Sequence, residues 1–128
     1  EDFNTLLNGI IGQKKRIHIH AGDVINAELD SVLSKLDNSN KQIQALAQII
    51  DDAVIGNFKL WPTNYVAYDL LHNTIEYSSQ YTEQEKQDFV LRMNQRIDKN
   101  DADEVRLFLG MYANPVANQA KYIAVSKK

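Results

Sequence analysis

The chain has 128 residues, a length that predicts one domain or part of one. Its formal net charge is −3, so it lacks the basic surface that nucleic-acid binding requires. It has no cysteine, which excludes a disulfide framework and a thiolate metal site, and no apolar run of transmembrane length.

The N-terminal region predicts a helix followed by a β-strand. Large apolar side chains recur at helical spacing over residues 3–11, and Gly12 is a plausible stop. The stretch RIHIHA at 16–21 alternates, which places Ile17 and Ile19 on one face of a strand. A lone strand leaves its backbone groups unpaired, so either a second strand is missed or the sheet lies upstream. The chain begins at Glu1 rather than Met, and we therefore expect an upstream sheet.

Helices are predicted over most of the remaining chain. Asn26 is a candidate N-cap for the first of them. A long helix over 41–58 carries a single apolar stripe, made of Ile43, Leu46, Ala47, Ile50, Val54 and Phe58. Thr63 is a candidate N-cap for a short helix after Pro62.

The C-terminal third predicts three more helical segments. Thr82 and Glu85 have the spacing of a capping box at the start of one helix. Residues 104–112 are apolar nearly all round, which predicts burial. Pro115 can open a last short helix, and 121–128 is expected to be a loose tail.

His18 and Asp23 have four residues between them, the spacing of the catalytic dyad of one large acyltransferase family. In that dyad the histidine takes a proton from an alcohol, and the aspartate holds the imidazole in its working tautomer. Here His18 falls in mid-strand and Gly22 interrupts the chain before Asp23. The anion-binding loop that the reaction needs does not follow. We interpret the spacing as a coincidence.

Two further groups of side chains are candidate sites. His18 and His20 share one strand face and can chelate a metal if His72 supplies a third ligand, although a polar strand face is the favoured interpretation. Aromatic residues cluster around Pro62, and Trp61, Tyr65 and Tyr68 are the predicted interface among them. The edge of an ordinary core is the alternative for the aromatic group.

Five stretches of the sequence, two of them overlapping, together resemble one enzyme family. RIHIHAGDVI resembles the late strand and turn of glycerophospholipid acyltransferases of the lysophosphatidate type, with Val24 where proline is usual. NFKLWPTNYVAYDLL, YTEQEKQDFVLRMNQRI and FLGMYANPV are similar to the C-terminal extension of a bacterial branch of these enzymes. EDFNTLLNGIIGQKKRIHIHAG resembles the segment just before that extension. Some relatives in this branch carry the label hemolysin.

The resemblance implies a mostly α fold, with one or two N-terminal strands left over from the α/β acyltransferase sheet. It divides the chain into the end of the α/β domain at 1–25 and a helical C-terminal extension at 26–128. The catalytic His-x4-Asp motif and the phosphate loop would lie upstream of Glu1, so no catalytic, cofactor-binding or metal-binding residue carries over to this chain.

The resemblance also implies what the parent enzyme does. It would move an acyl chain from acyl-CoA or acyl carrier protein to a lysophospholipid, without a cofactor, at the cytoplasmic face of a membrane. The chain's main partner would be its own upstream catalytic domain. Two rivals stay open: a stand-alone helical interaction module using 104–112 and the tyrosine-rich face, and a small metal-dependent enzyme using the three histidines.

Overall fold

The computed structural model describes residues 2–11 and 16–126. Its helices are α1 (Asp2–Ile11), α2 (Asn26–Leu33), α3 (Ser39–Asn57), α4 (Pro62–His72), α5 (Glu83–Asn94) and α6 (Ala102–Ser126). A short 3₁₀ helix, Ser78–Gln80, lies between α4 and α5. The prediction of a mostly α fold is confirmed.

The predicted strand at 16–21 is not formed. Residues 16–25 have neither helix nor strand, and Ile19 is 86% exposed. An alternating sequence forms a strand only where a second strand accepts and donates its backbone hydrogen bonds. The described residues contain no such partner, so this prediction is wrong for the chain by itself.

The hydrophobic core lies between α4, α5 and α6. Val66 and Ala67 of α4 are fully buried, and Phe89 of α5 is nearly so. The Phe89 ring packs edge-on against Tyr112 of α6, with 5.3 Å between ring centres. Helix α6 runs along α4, while α2 packs on α3 and α3 packs on α6. The second half of the chain therefore builds the core, and α3 joins it from one side.

Helices α3 and α5 begin at side-chain caps, but the predicted cap at Asn26 is wrong, because Asn26 is already the first residue of α2 and the residue before it makes no side-chain cap. Thr82 and Glu85 form the predicted capping box, since the Thr82 hydroxyl accepts from the Glu85 N–H and the Glu85 carboxylate accepts from the Thr82 N–H. Asn38 caps α3 by accepting from the N–H groups of residues 40 and 41. The predicted cap at Thr63 is wrong, because helix α4 already begins at Pro62. Trp61 precedes the helix, and Pro62 lies in its first turn.

Helix α6 differs from the prediction in length and in burial. It continues through Pro115 to Ser126, so 121–126 is helix rather than a loose tail, and 127–128 lie outside the described residues. Pro115 removes one helical hydrogen bond, but Ala113 and Val116 are buried on either side of it and hold the helix in place. Of the segment expected to be buried all round, Leu107 and Met111 are exposed.

Helix α3 is formed as predicted, but its apolar stripe is not covered. Ile43, Ile50, Val54 and Phe58 of the stripe are exposed and Leu46 is half-buried, while α3 packs against α2 and α6. An amphipathic helix with an open apolar face is typical of a surface that meets another body. Among the described residues, no helix combines the length and apolar character that crossing a membrane requires.

Candidate functional site

A cleft of about 360 Å³ lies where the extended segment 16–22 passes the end of α3 and the turn into α4. Its lining residues are His18, His20, Gly22, Ala53, Val54, Asn57, Phe58, Lys59 and Trp61. The volume falls within the range of small-molecule sites, toward its lower end. The cleft thus brings together side chains that are some forty residues apart in the sequence.

Two cationic side chains lie close to the Trp61 ring. The guanidinium carbon of Arg16 lies 5.7 Å from the centre of the Trp61 ring, and the Lys59 ammonium lies 5.9 Å from it. Both distances are those of cation–π interactions, for which tryptophan is the best acceptor. These contacts hold the extended N-terminal segment against the helical part of the chain.

Asn64 fixes the backbone at Trp61. Its side-chain oxygen accepts a 2.8 Å hydrogen bond from the Trp61 N–H, and its amide nitrogen donates to the carbonyl of Tyr112 at 2.9 Å. The side chain is only 7% exposed, so both bonds are formed away from water. Because Tyr112 belongs to α6, Asn64 ties the turn that carries Trp61 to the core.

The floor of the cleft is the last turn of α3, which α6 holds in place. The Gln119 side-chain amide donates to the carbonyls of Ile55 at 3.2 Å and Phe58 at 2.9 Å. Close by, a Cβ on Gly56 would come within 2.9 Å of the Tyr122 ring. Only glycine allows the two helices to approach so closely at this position.

Lys59 is the one lysine or arginine that lines the cleft in the described part of the chain. Neither Lys59 nor Arg16 forms an ion pair there, but Arg16, beside Trp61, interacts electrostatically with the Glu85 carboxylate. The lining contains no carboxylate, hydroxyl or thiol among the described residues. It therefore offers one ammonium group, two imidazoles, one amide and apolar surface.

The predicted interface residues divide between two places. Trp61 lines the cleft, whereas Tyr65 and Tyr68 stack around Tyr77, with ring centres 5.3 Å and 5.0 Å from it. Tyr68 also stacks on His72 at 4.4 Å and packs against the core. The tyrosines thus form a second aromatic group at the edge of the core, and an interface role for all three residues stays a prediction.

The histidines do not gather into a metal site. His18 and His20 line the cleft, but His72 lies against Tyr68 at the end of α4. No group of three potential metal-ligand side chains is present in the described ranges. Asp23 is exposed and is not among the residues that line the cleft beside His18, so the structure does not place the His18–Asp23 pair at a shared site.

Asp69 is a buried acid whose role the sequence did not indicate. Its carboxylate accepts hydrogen bonds from the Tyr77 N–H at 3.1 Å and from the Tyr81 hydroxyl at 2.8 Å. Burial and this second bond raise the pKa of Tyr81 to about 12. Asp69 therefore organises the loop after α4. A carboxylate seven residues after Pro62 carries no local signal for such a role.

Lys59 is the charged residue of the cleft that sequence reasoning missed, and the contact of Arg16 with Trp61 was missed as well. Lys59 is close to Trp61 in sequence, but Arg16 is brought there only by the path of the extended segment. Comparison of the chain with protein-family models gives no match, and neither characterised proteins nor solved structures match it at a significant level. The residues themselves must therefore carry the functional argument.

Proposed function

We propose that the chain is the non-catalytic C-terminal part of an acyltransferase. The parent would move an acyl chain from acyl-CoA or acyl carrier protein to a hydroxyl of a glycerophosphate lipid. The general base would be a histidine upstream of this chain, and neither a metal nor an organic cofactor would be required. The proposal starts from the resemblance of five stretches of the sequence to that family.

The observation that carries the proposal is the apolar surface of the N-terminal segment. Eight large apolar side chains between residues 3 and 24 are at least 40% exposed: Phe3, Leu6, Leu7, Ile10, Ile11, Ile17, Ile19 and Val24. So many exposed large apolar side chains within one segment indicate a site of contact with another body. An upstream catalytic domain is the partner that the resemblance supplies.

The same partner accounts for the extended segment. In the parent, Ile17 and Ile19 would face the core of the α/β domain, and residues 16–21 would pair with the edge of its sheet. Residues 1–25 would then belong to the α/β domain and 26–128 to the helical extension. The open apolar stripe of α3 would lie beside this junction.

The extension would also help to place the parent on a membrane. Trp61, Tyr65 and Tyr68 each combine an apolar ring with a polar N–H or O–H group, which suits a domain junction or a lipid interface. We propose that the parent works at the cytoplasmic face of a membrane as a peripheral protein. Its partners would be the thioester donor and a lysophospholipid.

Two measurements test the proposal. The roughly two hundred and fifty codons upstream of Glu1 should encode a His-x4-Asp motif and a later glycine/arginine anion loop, about the length of two domain-sized units. Hydrogen exchange should then show amides 17–21 protected in the whole protein and unprotected in the isolated chain, while α5 exchanges equally in both. Absence of the motif, or equal exchange at 17–21, contradicts the proposal.

A stand-alone helical interaction module is the second candidate. Leu107 and Met111, one turn apart on α6, are 61% and 73% exposed, and they give such a module an apolar contact face. Under this alternative, the upstream codons hold a nearby start and neither motif.

A further inference from the structure

Two helices of the chain carry apolar faces that are open to water. On α1 the face has the period of a helix that packs on one side, and its members are exposed: Phe3, Leu6, Leu7, Ile10 and Ile11. On the N-terminal half of α3 the face has the same period and consists of Ile43, Leu46, Ala47 and Ile50. We call these the α1 face and the α3 face. In the described part of the chain, α1 shares no packed interface with another helix.

Both faces lie within stretches that carry no ionisable side chain. Residues 3–11 and 42–50 are each nine residues long and contain no aspartate, glutamate, lysine, arginine or histidine, although 24% of the chain is charged. Charged side chains are depleted at the centres of protein interfaces, whereas surfaces that stay in water mix both signs of charge. The two stretches therefore match each other in length and have the composition of interface centres.

We propose that the α1 face of one copy packs on the α3 face of a second copy, and the reverse, in a homodimer with twofold symmetry. Exchange of an element between identical chains is a low-cost route to a dimer. The inference goes beyond the proposed function and does not rest on it. An upstream domain can pair with residues 16–21 while α1 of the same chain lies on the second copy.

The charges that flank the two stretches favour a parallel arrangement of α1 and the α3 of the second copy. In the sequence, Asp2 precedes the first stretch and Lys41 precedes the second. Lys14 follows the first stretch and Asp51 follows the second. Parallel packing brings unlike charges together at both ends, whereas antiparallel packing brings like charges together. The two faces are therefore complementary in charge as well as in shape and length.

The exchange covers both open faces of each chain, which pairing of two like faces does not. It contains two equivalent contacts between α1 and α3. If each large apolar side chain loses about 100 Å² of accessible surface, the two contacts together remove on the order of 1,500 Å² from water. This area is that of a stable protein–protein interface, typically about 1,600 Å².

The chain's own α1 leaves the α3 face open. The segment that follows α1, residues 16–22, lies at the other end of α3, where it forms a cleft with Val54 and Phe58. Its position is fixed there by the Arg16 guanidinium over the Trp61 ring. With the following segment held at that end and α1 itself unpacked, the α3 face is available to a second copy.

Sedimentation velocity of the 128-residue chain tests the dimer. The chain should dimerise as its concentration is raised. Ile43→Gln with Ile50→Gln should weaken the dimer about tenfold or more, and so should Leu6→Gln with Ile10→Gln, since each pair removes apolar area from both contacts. A chain that stays monomeric overturns the proposal, as does a dimer that survives the α3 substitutions.

A matched control and a folding check accompany these variants. Ile75→Gln with Leu91→Gln removes two large apolar side chains that are 77% and 60% exposed and belong to neither face, so the dimer should be unchanged. Equal weakening by this pair overturns a defined interface. Circular dichroism should show that every variant keeps its helices, because the substituted side chains lie outside the buried core.

Mixing the α1 variant with the α3 variant tests the exchange itself. One variant keeps its α3 face and the other keeps its α1 face, so a mixed pair retains one of the two contacts intact. Because the chain has no cysteine, Lys99→Cys in an exposed loop gives each variant a single site for a donor or acceptor dye. Energy transfer should appear in the mixture at concentrations where neither variant alone shows it. Its absence overturns the exchange, since pairing of like faces predicts no such rescue.

Discussion

The hydroxyl of Tyr81 donates a 2.8 Å hydrogen bond to the carboxylate of Asp69, which lies twelve residues earlier and is 4% exposed. The same carboxylate accepts from the Tyr77 N–H, so a single buried acid holds both ends of the loop that contains the 3₁₀ helix. A buried carboxylate is stable only when its oxygens are paired, and here the loop itself supplies the donors.

Tyr81→Phe should destabilise the protein by about 1–2 kcal/mol, because it removes a hydrogen bond to a charged acceptor and leaves the carboxylate short of a donor. Urea unfolding at neutral pH measures the change. Tyr65→Phe is the matched control, since the Tyr65 ring stacks on Tyr77 but no hydrogen bond of its hydroxyl is found in the described chain. Equal destabilisation by the two substitutions would show that the Tyr81–Asp69 bond contributes little.

The same bond predicts a pH dependence on the alkaline side. The pKa of Tyr81 is raised from 10.0 to about 12 in the folded protein, first by burial and then by the Asp69 hydrogen bond. Its contribution to stability is therefore fully present below pH 10 and is lost as the pH rises through about 12. Absorbance titration of the tyrosines should show a late-ionising group that Tyr81→Phe removes.

Helix α5 should lose stability when its capping box is broken. Thr82→Ala removes the hydroxyl that accepts from the Glu85 N–H and should cost about 1 kcal/mol. Thr82→Ser keeps the acceptor and should cost much less. Thermal unfolding compares the two variants, and equal losses would point to the methyl group instead of the hydroxyl.

Glu85 adds a pH dependence on the acid side. Hydrogen bonds from the Thr82 N–H and hydroxyl lower the pKa of Glu85 below 4.5, its ordinary value. This contribution is present above pH 4.5 and is lost as the pH falls through the lowered pKa of the folded protein. Glu85→Gln should therefore flatten the stability profile in this window, as measured by unfolding between neutral and acid pH.

Gly56 and Gly110 should respond to alanine in opposite directions. Gly56→Ala places a Cβ 2.9 Å from the Tyr122 ring and should destabilise the α3–α6 contact. At Gly110 the nearest atom would be 3.9 Å away, so Gly110→Ala should stabilise α6 by up to about 1 kcal/mol through helix propensity. Urea unfolding of both variants checks the signs. Removing the Tyr122 ring should turn the Gly56→Ala effect favourable.

Asn64→Ala should both destabilise the protein and release Trp61. It leaves the Trp61 N–H without its acceptor and removes the Asn64 hydrogen bond to the Tyr112 carbonyl, at a cost of about 1–3 kcal/mol. Trp61 emission should shift to the red as the turn loosens. Asn114→Ala is the control because Asn114 is an exposed side chain on α6. An unshifted spectrum for Asn64→Ala would mean that other contacts fix the turn.

The helices could be predicted because their signals involve residues close together in the sequence. Contacts between residues far apart in the sequence could not be predicted in this way. The Thr82–Glu85 box is formed by residues three apart, so its spacing is enough to predict it. The Arg16–Trp61 contact depends on the path of the extended segment, which no local rule describes. The sequence therefore indicated only parts of the candidate cleft, namely His18 and His20 in one group and Trp61 in another, and did not bring them together.

The errors have a common physical origin. The strand at 16–21 and the burial of 104–112 were both predicted from apolar pattern, which describes what a segment can pack against but not whether a partner is present. The prediction that a separate short helix begins at Pro115 was wrong for the opposite reason, because packing partners are present there. There the packing of Ala113 and Val116 outweighs the loss of one helical hydrogen bond.

The two exposed apolar faces give the proposed function a direct test against its rival. Leu6 and Ile10 of α1 are one helical turn apart, and so are Leu107 and Met111 of α6; all four are more than half exposed. If the N-terminal face is the one that another body covers, the isolated chain should self-associate through it. The double substitution Leu6→Gln and Ile10→Gln should then yield monomers in sedimentation velocity, while Leu107→Gln and Met111→Gln should leave the association unchanged. The reverse pattern would favour the interaction module, because the α6 face would then be the surface that seeks a partner.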